Sequence, residues 1–141
     1  MIRRINMITE KSCGAVVFTR INGIVKYVII QSKEGFFGFP KGHLEANETE
    51  TETALREIFE ETGLKVDIIA GFKTEDRHTF LKNGETRMKH VVYFLAEYSN
   101  QALVAQESEL NGIFLMDYET AVESFQFESS KRVLTEANSF L

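Results

Sequence analysis

Between Gly42 and Leu64 the chain reads GHLEANETETETALREIFEETGL, a short loop running into one helix that crowds its carboxylates together. With Glu57 as reference and about 100° per residue, Glu60 lies about 60° to one side and Glu61 about 40° to the other. Glu50 and Thr53 share that arc. Thr51, Leu55, Ile58, Phe59 and Thr62 fall opposite, a mostly apolar face suited to packing on a sheet. Like charges one turn apart destabilise an isolated helix by roughly a few tenths of a kcal/mol per pair. A solvated face is the ordinary use of such a run, but two features point to a cation in front of it. Arg56 stands at the edge of the arc, with a planar fork able to fix a carboxylate. The preceding loop, Phe37 to His43, ends in Gly42 flanked by Lys41 and His43, two candidate phosphate binders.

The helix limits are legible. Thr49 with Glu52 fits a capping box, and Asn47 with Glu50 offers a version shifted by two residues. Gly63 stands where helices end in a left-handed residue, and Leu64 supplies the apolar contact that follows. Upstream, Lys11 to Arg20 and Ile24 to Ser32 are β-rich runs joined through Asn22-Gly23, a strong hairpin signal. The uninterrupted Val28-Ile29-Ile30 predicts a strand covered on both faces. Ser32 to Gly38 is expected to be a loop, with Phe36, Phe37 and Phe39 clustered near Pro40. Downstream, Lys65 to Phe72 predicts a strand, and Glu75 to Leu81 with Arg87 to Glu97 a pair turning at Asn83-Gly84. Gly112 to Met116 predicts a last strand. Tyr118 to Phe125 and Glu128 to Leu141 predict helices, the latter with Val133, Leu134, Ala137 and Leu141 on one side. The expected class is α/β (α+β): a mixed sheet sandwiched between helices, in one domain spanning residues 1–141.

Composition sets the outer bounds. The 141 residues suffice for one well-buried core, and a net charge of −5 argues against a nucleic-acid-coating surface. A single cysteine, Cys13 in an apolar run, excludes an internal disulfide and fits a reducing, cytoplasmic setting as a buried thiol. The N-terminal stretch lacks a signal peptide's apolar core, and no segment approaches the ~18 apolar residues of a membrane span. A monomer or small homo-oligomer without membrane partners is expected.

Gly42, Glu48, Arg56, Glu57, Ile58, Glu60, Glu61, Gly63 and Leu64 occupy every fixed position of a known signature. It runs glycine, five residues, glutamate, seven residues, then Arg-Glu-aliphatic-any-Glu-Glu-any-Gly-aliphatic. On these residues the chain resembles the Nudix hydrolases. The resemblance implies an α/β/α sandwich and Mg²⁺- or Mn²⁺-dependent hydrolysis of a nucleoside diphosphate linked to a further group. It implies Glu57, Glu60 and Glu61 as metal ligands, with the backbone carbonyl of Lys41. Glu57 doubles as candidate general base, Arg56 orients a carboxylate, and Glu48 buttresses the helix start. Glu109, with Glu107 next, is the candidate acid from outside the signature.

Three further stretches resemble the asymmetrical diadenosine tetraphosphate hydrolases within that family: Ser12 to Phe18, Gly38 to His43, and Phe127 to Lys131 with Ala137 and Leu141. That likeness implies phosphate contacts from Lys41, His43 and Lys89, and adenine stacking by Tyr93 and Phe37. Two departures stand out. Relatives often carry tryptophan where Phe37 and Phe114 align, and Leu110 replaces the histidine of a Ser-any-Glu-His pattern. Two other substrates stay open, triphosphorylated RNA 5′ ends (the one reading that brings in nucleic acid) and surplus nucleoside triphosphates. A non-catalytic nucleotide-sensing domain is the alternative of another class; the intact signature, and a chain with no room for a fused effector, argue against it. His78 and His90, spread singly on strands, are expected to be ordinary surface or core residues.

Overall fold

The computed structural model of the protein describes residues 7–104 and 109–141. Strands β1 (Ile8–Ile21), β2 (Ile24–Ser32), β3 (Phe37–Gly38) and β4 (Lys41–His43) lead into helix α1 (Glu50–Thr62). Strands β5 (Asp67–Lys82), β6 (Glu85–Glu97) and β7 (Leu110–Met116) follow, and helices α2 (Tyr118–Ser124) and α3 (Glu128–Phe140) close the chain. The sheet runs β3-β2-β1-β6-β5, with β4 also on β1 and β7 on β2. It is mixed because β1 and β6 pair in parallel while the other pairs are antiparallel.

Alternation along the central strands builds a core on each face. Val16 and Phe18 of β1, Tyr27 and Ile29 of β2 and Leu95 of β6 pack under α2 and α3 through Ala121, Val133, Leu134 and Ala137. Ala15, Val17 and Val28 point the other way, toward Ile58 and Leu64 around α1. Neighbouring Val28 and Ile29 thus belong to opposite cores, as expected of a strand covered on both sides. Full burial of side chains of this size contributes about 1.5–3 kcal/mol each. Both Asn-Gly pairs take left-handed conformations, Asn22 and Gly23 at φ 51° and 77°, Asn83 and Gly84 at φ 53° and 77°, giving two-residue hairpin turns. Among the described residues no helix is long and apolar enough to cross a membrane.

Four expectations need correction. The separate strands over residues 65–72 and 75–81 are one strand, β5. The register slips between Ile68 and Lys73, and Gly71 at φ 95° absorbs the irregularity, so pairing with β6 resumes. The loop after Ser32 carries the short strand β3, and Lys41–His43 forms β4 against β1. Leu141 lies beyond the last helical residue and is exposed. The buried side of α1 is rotated toward the acidic arc. Thr53, Ala54, Ile58, Glu61 and Thr62 are buried, while Leu55 and Phe59 are exposed. Of the acids, Glu57 and Glu61 turn inward and Glu60 stays in solvent.

Candidate active site

Two glycines let the pieces of the site approach. Cys13, Gly14 and Ser12 of β1 pair with Gly42, Lys41 and His43 of β4. A Cβ on Gly14 would lie 2.1 Å from the Pro40 carbonyl oxygen. On the far side of β4, a Cβ on Gly42 would lie 2.0 Å from the Glu57 carboxyl carbon. Helix α1 is pinned against this strand. Its capping box forms at Thr49 and Glu52, the first of the two versions the residues allowed. Gly63 at φ 74° ends it, its N–H donating to the Phe59 carbonyl.

Arg56 ties the acids together. Its Nε donates to Glu48 at 2.7 Å, its Nη1 to Glu57 at 2.8 Å and to Glu60 at 3.2 Å, and its Nη2 to the His43 carbonyl at 3.0 Å. Glu48, also bonded by Thr53, is held far below the usual carboxylate range, near 2, first by Arg56 and then by Thr53. These contacts are those of a buttress. Glu57 is shifted upward instead, because burial outweighs the Arg56 contact.

Glu61 is the most perturbed acid. It is 8% exposed and accepts the Lys41 backbone N–H at 3.0 Å. Burial pushes it to about 8 despite that bond, and the nearby Glu57 charge adds to the rise. Glu109 is exposed, and its charge adds a smaller upward push on both Glu57 and Glu61. Glu107 lies outside the described residues. Glu57, Glu60, Glu61 and the Lys41 carbonyl are hard oxygen donors, the set that suits Mg²⁺ or Mn²⁺, and a cation against Glu57 and Glu61 would favour their ionised forms, which burial disfavours. With Glu60 drawn to Arg56, no three acids, histidines or cysteines among the described residues are gathered closely enough to hold one ion.

Beside the acids opens a cavity of about 730 Å³, lined by Lys41, Lys89, Tyr93 and Phe37 among others. Four of the five expected substrate contacts thus meet there. His43 is exposed and lies off the cavity wall. Among the described residues neither lysine ammonium has a carboxylate within ion-pairing range. Lys41 is pushed down to about 8, by burial first and then by Lys89 beside it. Tyr93 is 6% exposed and meets Phe39 edge-on at 5.4 Å, so most of its ring is core. Phe37 lies 5.9 Å from Phe114. Phe36 and Phe127, both exposed at the cavity, lie 5.0 Å apart and form an aromatic pair that sequence reasoning missed as a pair. Asp76 and His78, from β5, also line the cavity. Period-two alternation along the expected Glu75 to Leu81 strand puts both on one face, and pairing with Val91 and Lys89 of β6 is what makes that face a cavity wall.

Paired acids beside a cavity that offers two lysine ammonium groups suit the hydrolysis of phosphoanhydrides. The comparisons agree. A NUDIX domain family model matches residues 11–137. The mouse bis(5′-nucleosyl)-tetraphosphatase [asymmetrical] is 31% identical, covering 93% of this chain and 95% of its own. A structure of a Caenorhabditis elegans Ap4A hydrolase binary complex superposes with a TM-score of 0.81 at 21% identity, covering 93% and 96% of the two chains. The NUDIX domain of Shewanella oneidensis NrtR, complexed with ADP ribose, has a TM-score of 0.73 at 16% identity, covering 96% and 88%. The chain belongs to the Nudix hydrolase family, as a Nudix pyrophosphohydrolase.

Proposed function

We propose that the chain hydrolyses dinucleoside polyphosphates such as diadenosine tetraphosphate, yielding ATP and AMP. The observation that carries this reading is the double position of Lys41: its backbone N–H holds Glu61, while its side chain lines the nucleotide-sized cavity with Lys89. A polyphosphate held by the two ammonium groups therefore runs directly to the acids of α1. The mouse tetraphosphatase and the Caenorhabditis elegans Ap4A hydrolase named above support the length of that polyphosphate.

Glu57, Glu60, Glu61 and the Lys41 carbonyl would hold Mg²⁺ or Mn²⁺, with Glu109 as the added acid. Bound there, the cation supplies neutralisation of phosphoryl charge and a bound water of lowered pKa. Glu57 takes the proton of the attacking water as candidate general base. Water's oxygen bonds to one phosphorus, one P–O–P linkage breaks there, and the leaving phosphate keeps the bridging oxygen. Arg56 fixes Glu57 in orientation. Lys41 and Lys89 hold the phosphates, with His43 at the loop's outer end, and Phe37 with Tyr93 bounds the base.

The test is a comparison of kcat/KM across diadenosine tetraphosphate, nucleoside triphosphates, nucleotide sugars and triphosphorylated RNA. The tetraphosphate should lead, and activity should vanish in chelator. A clear lead for a nucleotide sugar overturns the substrate reading, and RNA in front restores the RNA-end alternative. Glu60→Gln and Glu61→Gln should each lower turnover by orders of magnitude; undiminished activity with Mg²⁺ would remove that residue from the ligand set.

A further inference from the structure

Three acids line the cavity, Glu34, Asp76 and Glu128; Glu34 and Glu128 are exposed at its rim, and Asp76 is the largely buried one, used neither in phosphate binding nor in hydrolysis. Asp76 lies mid-way along β5, cross-strand from Val91, between the β6 positions of Lys89 and Tyr93. Its side chain is 17% exposed. Among the described residues its one basic neighbour within ion-pairing range is His78, whose Nδ1 stands 3.9 Å from Oδ2, beyond hydrogen-bond reach. A carboxylate repels polyphosphate, so in a nucleotide cavity it suits only a ligand part rich in donors. Its charge also reaches Tyr93, whose hydroxyl is pushed upward first by burial and then by Asp76, and so remains a protonated donor.

Resting on the reading of this cavity as a nucleotide site, we propose that Asp76 selects the base, favouring guanine over adenine. An ionised carboxylate offers two acceptors and no donor. Guanine's pairing edge presents N1–H and N2–H₂ side by side, one donor for each oxygen. Adenine presents N6–H₂ next to the N1 lone pair, which turns a like partial charge toward the second oxygen. The rings at the cavity, Phe36, Phe37 and Phe127, offer stacking to any base and leave the choice to the polar group. An amide at position 76 reverses the preference, its carbonyl accepting from N6–H₂ and its amino group donating to N1 of adenine.

The experiment measures kcat/KM with Mg²⁺ for diguanosine and diadenosine tetraphosphates and for GTP and ATP, in wild type, Asp76→Asn and Asp76→Ala. Calorimetric binding of GDP and ADP in chelator reads the same preference without turnover. Wild type should favour guanine within each pair by at least about tenfold, the scale of a two-point base contact. Asp76→Ala should bring the ratio toward one, and the near-isosteric Asp76→Asn should carry it toward adenine. Equal handling of both bases by wild type, or variants that lower both alike with the ratio unchanged, overturns the assignment. Should GTP outrun ATP while dinucleotides show no advantage over mononucleotides, the tetraphosphate reading falls and base selection by Asp76 stands.

Discussion

Gly42 and Glu57 are in such close register that a single methyl group on the glycine would lie 2.0 Å from the glutamate's carboxyl carbon and 2.2 and 2.3 Å from its oxygens. The glycine of the signature is therefore required by the acid on the helix fifteen residues later, and its role is contact rather than backbone freedom. Gly42→Ala should push Glu57 off Arg56 and misplace the candidate base. A displacement near 1 Å costs about a hundredfold in turnover. Steady-state kinetics beside a urea melt should show kcat falling by about that factor with the unfolding midpoint moving far less. An alanine variant as fast as wild type would refute the contact's importance.

Arg56→Lys tests whether geometry or charge matters. One guanidinium reaches Glu48, Glu57, Glu60 and the His43 carbonyl at once, and a lysine ammonium cannot span those positions. The charge-conserving variant should lose at least about tenfold in kcat, because Glu57 loses its orientation. It should also melt lower, because Glu48 and the His43 carbonyl lose donors. Retention of both properties in the lysine variant would reduce Arg56 to a simple counter-charge.

What the sequence revealed and what it hid divide by range. The Thr49–Glu52 box, the left-handed Gly63 and both Asn-Gly turns are set by residues within a few positions of one another, and each forms as expected. Which side of α1 is buried depends on β4: Glu61 is drawn inward to the Lys41 N–H, 20 positions away, and helical periodicity carries no trace of it. Leu55 and Phe59 looked like core for the same reason and are exposed. The break expected before Glu75 vanished because the β5–β6 register resumes past Gly71, and Asp76 and His78 became wall residues through long-range pairing with Val91 and Lys89 of β6. The cavity itself is assembled from β2, β3, β4, β5, β6 and the start of α3, a long-range product no local pattern encodes.

Lys41 and Lys89 predict an alkaline limit on substrate binding. Lys41 is pushed from 10.5 down to about 8, so its ammonium is present below that value and is lost as pH rises through it. KM for an anionic substrate should therefore rise above about pH 8. Lys41→Met should raise KM by roughly tenfold to a hundredfold at neutral pH, the scale of one hydrogen bond to a charged group, and erase that limb. Lys89→Met removes the neighbouring charge that helps lower Lys41, so its alkaline limb should move upward. A limb unmoved by Lys89→Met would break the proposed coupling.

Glu61 predicts how pH and metal act on stability. Its carboxyl rises from 4.5 to about 8 on folding without a cation, chiefly through burial. A group that binds its proton more tightly in the folded state supports folding fully below its unfolded value and loses that support as pH climbs to its folded one. In chelator the melting temperature should thus fall by several degrees between pH 5 and pH 8, with the upward-shifted Glu57 acting in the same direction. Mg²⁺ or Mn²⁺ should restore more stability at pH 8 than at pH 5, because only the ionised acids attract it. Glu61→Gln keeps the shape of the protonated acid and cannot ionise, so it should flatten the metal-free slope and weaken stabilisation by metal together. Calorimetric melts of both proteins across that range, with and without metal, decide the matter. A glutamine variant with the wild-type slope would place the titrating group elsewhere, and one with undiminished metal stabilisation would remove Glu61 from the ligand set.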